Sequence, residues 1–294
     1  MKDFQGRVAV ITGGGSGIGA AMAWRFARAG MKIVLADVDL AAAERTRDAL
    51  AADGHTALAV RTNVAAASDV EALAETASQA YGAVHLLCNN AGIVPSGRHR
   101  PVWEYPLEDW RWSLDVNLMG VVHGIRSFVP RMLAQGTEGH VLTTASVAGL
   151  ISSSGSAVYS AAKFAAVRVT EALYGSLLER GAPIGVTCLC PGLVNTRIYQ
   201  SERNRPSKLR PSEGPAAETP ELQAIADQLY ANALSPEAVA QQAYEAIKKN
   251  QLYLLTTTQF DGEIHERADA ILARRNPIFA SLLDLSKRDI GMKA

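Results

Sequence analysis

Two side chains four residues apart suggest the first chemistry. Tyr159 and Lys163 stand at i and i+4, a spacing that places both on one face of a helix. An ammonium beside a phenol favours the phenolate and lowers its pKa, and a phenol so depressed is a usable general base near neutral pH. Ser146 follows the apolar run 140–144, where its hydroxyl can hydrogen-bond and orient a substrate oxygen. Each of these residues also has a bland reading, as a surface aromatic, a solvated charge and a loop hydroxyl.

A second feature supplies what such an acid/base set needs beside it. Thr12-Gly13-Gly14-Gly15-Ser16-Gly17-Ile18-Gly19 follows an apolar strand and opens a helix. Glycine permits positive φ and close backbone approach, and a helix N-terminus offers free N–H groups to a pyrophosphate. The spacing is T-G-x-x-x-G-x-G, and no Gly-Lys-Ser/Thr ending follows, which argues against a nucleoside-triphosphate enzyme. Asp37 ends the second apolar run, a little under ~20 residues beyond the glycines, where a carboxylate accepts hydrogen bonds from an adenosine ribose. The same charge repels a 2′-phosphate, so NAD is the expected cofactor. Asp37 could instead cap the next helix, although Asp39 lies nearer to that role.

The elements that must position these groups follow from periodicity. Short β-branched runs at 7–12, 32–36, 56–61, 84–88, 140–144, 184–190 and 252–255 alternate with helical patterns at 17–29, 40–52, 68–81, 107–135, 157–180 and 236–249. This predicts an α/β fold: a doubly wound, Rossmann-type parallel sheet of about seven strands. No linker interrupts it, so residues 1–294 are expected to form a single domain. Two stretches break the rhythm. Residues 197–234 carry Pro206, Pro211, Pro215 and Pro220 among Arg203, Arg205, Lys208 and Arg210 and read as a mobile lid beside the active site, with a plain surface insertion as the alternative. Residues 259–294 form a C-terminal extension in which Ile264, Ala268, Ile271 and Leu272 predict an amphipathic helix over 261–274.

Composition narrows the partners. The 29 Lys and Arg residues balance 29 Asp and Glu, so no overall field draws the chain to nucleic acid or an anionic membrane. Trp103, Trp110 and Trp112 read as core or pocket-wall aromatics. No stretch reaches transmembrane length or forms a signal peptide. Cys88, Cys188 and Cys190 lack metal-ligand spacing, and His85, His123 and His140 are scattered; no metal is expected. Three buried thiols in a reducing cytoplasm are the expected state.

Taken in order, Thr12 to Gly19, Asn89-Asn90-Ala91-Gly92, Asn117, Ser146, Tyr159-x-x-x-Lys163 and Pro191-Gly192 resemble the short-chain dehydrogenase/reductase family over roughly residues 5 to 255. The resemblance implies a catalytic set of Asn117, Ser146, Tyr159 and Lys163, with Asn117 holding a water that relays protons from Lys163. It implies cofactor contacts from Gly13, Gly15, Ser16, Gly17, Ile18, Gly19 and Asp37. To these it adds Asn63 and Val64 at the adenine, Asn90, Ala91 and Gly92 on the adenosine-ribose side, Tyr159 and Lys163, and Pro191, Gly192, Val194 and Thr196 around the carboxamide. Asn63 departs from the family's usual Asp, although an amide oxygen still accepts from an adenine amino group. The implied activity is hydride transfer between NAD(H) and a small alcohol/ketone pair in a homo-oligomer, a tetramer on the helices of Asn117 and Tyr159 and the last strand, or a dimer. A catalytically silent dinucleotide sensor is the other class. The segment after Thr196 resembles the lid of bacterial Cα-dehydrogenases, which oxidise benzylic alcohols in lignin-derived aryl ethers. Ile198, Leu229 and Tyr230, with Trp103 or Ile93, would then close on a bulky ring. A general hydrophobic alcohol, steroid-like or acyl, stays open beside it.

Overall fold

The computed structural model describes residues 1–96, 100–153, 155–214, 227–228 and 230–279. Seven parallel strands form one sheet: β1 (Val8–Thr12), β2 (Lys32–Asp37), β3 (Ala57–Arg61), β4 (Leu86–Asn89), β5 (Gly139–Thr144), β6 (Ile184–Cys190) and β7 (Tyr253–Leu255). Their spatial order is β3-β2-β1-β4-β5-β6-β7. Parallel neighbours need crossover helices, which leave both faces of the sheet covered.

Alternation along each strand sorts side chains between the two covered faces. Ala9 and Ile11 of β1, with Ile33 and Leu35 of β2, join a core beneath α1 (Gly17–Arg28), α2 (Leu40–Ala52) and α7 (Pro236–Lys248). Val8, Val10, Val34 and Ala36 face the opposite way, onto α3 (Ala67–Tyr81), α5 (Gly120–Gln135) and α6 (Ala157–Glu179). These strands are buried on both faces, so they read in sequence as continuous apolar runs and not as polar alternations. Going from β1 to β2 the chain winds one way, and from β4 onward it winds the other. The reversal opens a crevice at the carboxyl ends of β1 and β4, the place where such sheets bind ligands.

The sequence pattern at 107–135 predicts one helix, and the structure corrects this. It holds α4 (Leu107–Leu114), a π-helical turn at Asp115–Met119, and then α5. The hydrophobic period continues across the turn because the axis is not broken, so only the backbone reveals the extra residue. The expected helix after β7 is present as α8 (Asp261–Ala273).

Beyond β6 the chain makes 3₁₀ turns at Ile198–Asn204 and Ser207–Leu209, and Arg205 between them pins this base of the expected lid. Its guanidinium donates to Asp109 at 2.6 Å, to Glu202 at 2.6 Å and to the Leu209 carbonyl at 2.9 Å. It also lies 4.2 Å over the Trp112 ring. Glu202 in turn accepts from the Ser96 amide at 3.0 Å, tying the β4 loop into the same network. Removing one partner of a buried ion pair leaves the other uncompensated, at a cost of about 3–5 kcal/mol. Arg205→Met is therefore expected to lower unfolding stability in urea by about 3 kcal/mol, with Asp109→Leu added to it recovering much of the loss; a loss within about 1 kcal/mol of zero would show that the pair does not hold the segment.

Candidate active site

The crevice at the switch point is a cavity of about 470 Å³. The β1–α1 turn forms its floor. Gly13 has φ +66°, and a β-carbon there would stand 3.0 Å from the Ala91 backbone; at Gly19 a β-carbon would run into the Gly13 carbonyl. Side chains are absent where the turn, α1 and the β4 loop meet because there is no room for them. Ser16 stands at the N-cap of α1 without a side-chain cap hydrogen bond, and no acidic residue occupies the first turn. The helix thus presents unsatisfied N–H groups and a positive dipole end to the cavity, a fit for a pyrophosphate.

Asp37 closes this wall. Its carboxylate accepts from the Gly15 amide at 2.9 Å and the Asp39 amide at 3.0 Å. Burial raises its pKa, opposed by those two amides. Asp39 caps α2 by accepting from the Ala42 amide at 3.1 Å, which leaves the Asp37 carboxylate facing the cavity.

The opposite wall carries the acid/base candidates. Tyr159 and Lys163, one turn apart on α6, and Ser146 after β5 all line the same cavity. Ser146 lies close enough to the Tyr159 phenol to favour its ionised form, and its hydroxyl is fixed by accepting from the Ala148 amide at 3.2 Å. Lys163 is 2% exposed; its Nζ donates to the Thr144 carbonyl at 2.8 Å and lies 5.6 Å from the centre of the Tyr159 ring. Sequence reasoning expects a phenol depressed by this ammonium, and in the chain itself the opposite holds. Burial pushes the Tyr159 phenol well up, only partly opposed by Ser146. Burial likewise pulls Lys163 down to about 8, with Cys190 and Cys188 opposing. For both groups desolvation of the charged form is the largest cause of the shift.

Of the cofactor-contact candidates, Gly13, Ser16, Gly17, Ile18, Asp37, Asn63, Val64, Asn90, Ala91, Gly92, Pro191, Gly192, Val194 and Thr196 line the cavity. Gly15 and Gly19 stand behind its wall as packing positions. So does Asn117, which is fully buried. Its Oδ1 accepts from the Ile93 amide at 2.9 Å, and its Nδ2 donates to the Ile93 carbonyl at 2.9 Å and to Ser113 at 3.1 Å. Both amide hydrogens are taken by protein, so the side chain clamps the β4 loop. A β-carbon on Gly92 would lie 3.1 Å from Asn117 Oδ1 and 3.5 Å from Lys163 Nζ, so this glycine lets the two approach. Asn63 Oδ1 already accepts from the Ala65 amide at 3.2 Å, which shapes the loop at the adenine-side wall.

Trp112 and Tyr230, expected at a pocket wall and over a bulky ring, line the cavity, and Tyr230 stacks on Tyr199 with centroids 4.8 Å apart. Sequence reasoning missed Phe260, which also lines it; no motif marks a lone aromatic at the start of a helix. Trp103 departs from expectation: it is 81% exposed and away from the cavity wall. Ile93 and Ile198 line the cavity, whereas Leu229 lies outside the described residues.

Residues 7–207 match the short chain dehydrogenase family. The chain is 36% identical over 268 residues to the 1-deoxy-11-beta-hydroxypentalenate dehydrogenase of Streptomyces exfoliatus, covering 91% of this chain and 89% of that one. It is 35% identical over 276 residues to the C alpha-dehydrogenase of Sphingobium sp. strain SYK-6, covering 92% and 87%. A short chain dehydrogenase/reductase from Burkholderia phymatum, solved in complex with NAD, superposes with a TM-score of 0.87 at 43% identity, covering 95% of this chain and 98% of that one. The chain is a short-chain dehydrogenase. Membership makes it an oxidoreductase, and the likeness to C alpha-dehydrogenase extends beyond the lid segment to nearly the whole chain. Among the described residues, no helix of this dehydrogenase is long and apolar enough to cross a membrane.

The depressed lysine gives this dehydrogenase a pH signature. Its folded pKa of about 8 lies below the unfolded value of about 10.4, so the unfolded chain binds more protons between the two and stability rises with pH there. In the cofactor-free protein, unfolding free energy relative to Lys163→Met is expected to rise by about 2 kcal/mol from about pH 7.5 to about pH 9.5. Parallel pH profiles for the two proteins in urea titrations would contradict a buried, depressed ammonium.

Proposed function

We propose that this short-chain dehydrogenase interconverts a secondary alcohol and a ketone with NAD(H) as cofactor. The observation that carries the reading is that the uncapped α1 N-terminus and the Ser146–Tyr159–Lys163 group face one cavity. When bound, the nicotinamide ring supplies the hydride acceptor or donor. Gly13, Ser16, Gly17 and Ile18 would hold the pyrophosphate, Asp37 the adenosine ribose, and Val194 and Thr196 the carboxamide side. Asn63, Val64, Asn90, Ala91 and Gly92 complete the adenosine half.

The chain's own part is positioning and proton transfer. Ser146 donates to or accepts from the substrate oxygen and holds it against Tyr159. A raised phenol is protonated at neutral pH, the state that donates to a ketone oxygen; in the oxidative direction Tyr159 takes the hydroxyl proton. Lys163, fixed by the Thr144 carbonyl, would hold the nicotinamide ribose and bias that proton. Asn117 sets the wall behind Lys163 through its clamp on Ile93.

The substrate half of the cavity is apolar and partly aromatic: Ile93, Trp112, Val147, Ile198, Tyr230 and Phe260. Such a wall suits a bulky hydrophobic alcohol. With the similarity to C alpha-dehydrogenase, it supports a benzylic or aryl carbinol, and a bulky non-aromatic alcohol is the second reading, favoured by the hydroxypentalenate named for the Streptomyces relative. Asp37 supports NAD over NADP. Exposed Met119 and Leu133 near and on α5, and Tyr253 on β7, support a homo-oligomer, and three buried free thiols support a reducing, cytoplasmic setting.

One assay tests the reading: purified protein with NAD or NADP and a panel of 1-aryl alkanols paired with aliphatic secondary alcohols of matched size, followed by NADH absorbance. Turnover is expected with NAD, at rates at least about tenfold higher than with NADP and higher on the aryl set. Equal or better rates on the aliphatic set reject the aryl pocket. Tight NAD binding without turnover on any alcohol points to a sensor.

A further inference from the structure

Two arginines of the lid base turn into the half of the cavity that faces the glycine turn. Arg197 and Arg203 line it together with Gly17, Asp37 and Thr196. Arg203 Nη1 donates to the carbonyls of Arg197 at 2.9 Å and Gln200 at 2.7 Å, so its guanidinium is fixed to the 3₁₀ turn while its other nitrogens remain available. Unlike Arg205, which is paired with Asp109 and Glu202, neither Arg197 nor Arg203 forms an ion pair among the described residues. The two nonetheless sense each other's charge. Burial and Arg197 hold Arg203 below its ordinary value, with Asp37 and Asp39 opposing from across the cavity.

Two guanidinium groups gathered at one cavity wall, with Asp37 and Asp39 in the same cavity but in ion-pair contact with neither, keep donors free for an anion that arrives between them. The wall that faces them already suits one, since the α1 N-terminus is uncapped and free of acidic side chains. Guanidinium groups bind phosphate oxygens through paired N–H donors, which a lysine cannot reproduce.

We propose that Arg203, with Arg197 beside it, is the lid's grip on the pyrophosphate of the dinucleotide. The inference rests on the NAD reading above and adds a residue that no glycine-turn motif includes. It has a consequence for the substrate. The same 3₁₀ turn carries Ile198 and Ser201 onto the substrate side of the cavity, so a cofactor held by Arg203 also holds that wall in place. Arg205 anchors the turn from behind and Arg203 from the front, which makes the dinucleotide part of the substrate pocket's support.

The test is binding, read by NADH fluorescence and by displacement of NADH with ADP-ribose or adenosine, in wild type, Arg203→Met and Arg203→Lys. Arg203 is exposed at the cavity mouth, so the variants are expected to fold, and a melting curve checks this. In Arg203→Met the dissociation constants of NADH and ADP-ribose rise at least about tenfold while that of adenosine, which has no phosphate, stays within about twofold. Arg203→Lys recovers part of the loss, and added salt weakens ADP-ribose binding less in Arg203→Met than in wild type. Wild-type-like ADP-ribose binding in Arg203→Met overturns the proposal, as does an equal loss for adenosine. If wild type itself binds neither NADH nor ADP-ribose, the dinucleotide reading beneath it falls as well.

Discussion

A chain of hydrogen bonds across the carboxyl ends of β1, β4 and β5 holds the two halves of the site in register. The Thr12 hydroxyl donates to the Cys88 carbonyl at 3.3 Å and accepts from the amides of Asn90 at 2.9 Å and Ala91 at 3.1 Å. Asn90 Nδ2 returns to the Thr12 carbonyl at 3.0 Å, and its Oδ1 accepts from Thr144 at 3.1 Å. The Thr144 carbonyl then takes the Lys163 ammonium. The glycine turn and the catalytic candidates lie on different elements, and this relay fixes their separation without any of them touching. Parallel strands end with unpaired backbone groups at the crevice, and a relay of small polar side chains satisfies them where water is largely excluded.

Burial of Lys163 is the electrostatic cost of that arrangement. An ammonium held by a carbonyl in a dry pocket is destabilised, as its fall to about 8 records. The phenol beside it is destabilised in its ionised form for the same reason. A site in which both charged forms are disfavoured responds strongly to any charge brought into it, so small placements of charge there have large effects.

Much of this was legible in the sequence, for physical reasons that can be named. The inner strands, buried on both faces, write themselves as short apolar runs, and the half-buried edge strands β3 and β7 keep enough of the pattern that all seven were visible, with ends shifted by a residue or two: Asp37 belongs to β2 and Asn89 to β4. Glycines forced by close approach, such as Gly13 and Gly19, mark a turn unambiguously. Tyr159, Lys163 and Ser146 were readable as a group because chemistry restricts residue types at those positions. The π-helical turn at Asp115–Met119 was invisible, since one extra backbone residue leaves the apolar period intact. The saturation of the Asn117 amide by Ile93 and Ser113 needed three-dimensional neighbours distant in sequence. The raised Tyr159 phenol was misread for the same reason. Helical spacing reveals the ammonium but says nothing of how dry the pocket is. Tyr230 was legible through the resemblance of the segment after Thr196, whereas Phe260 carries no motif, because residues of a substrate wall are chosen by shape and not by a shared reaction.

The central claim is that the Tyr159 phenol moves the proton while the rest of the cavity holds the dinucleotide. Steady-state turnover of Tyr159→Phe, measured beside its NADH dissociation constant, addresses it most directly. Loss of at least about 100-fold in kcat with NADH affinity within about twofold of wild type is the predicted result; near-normal turnover in that variant would contradict the account.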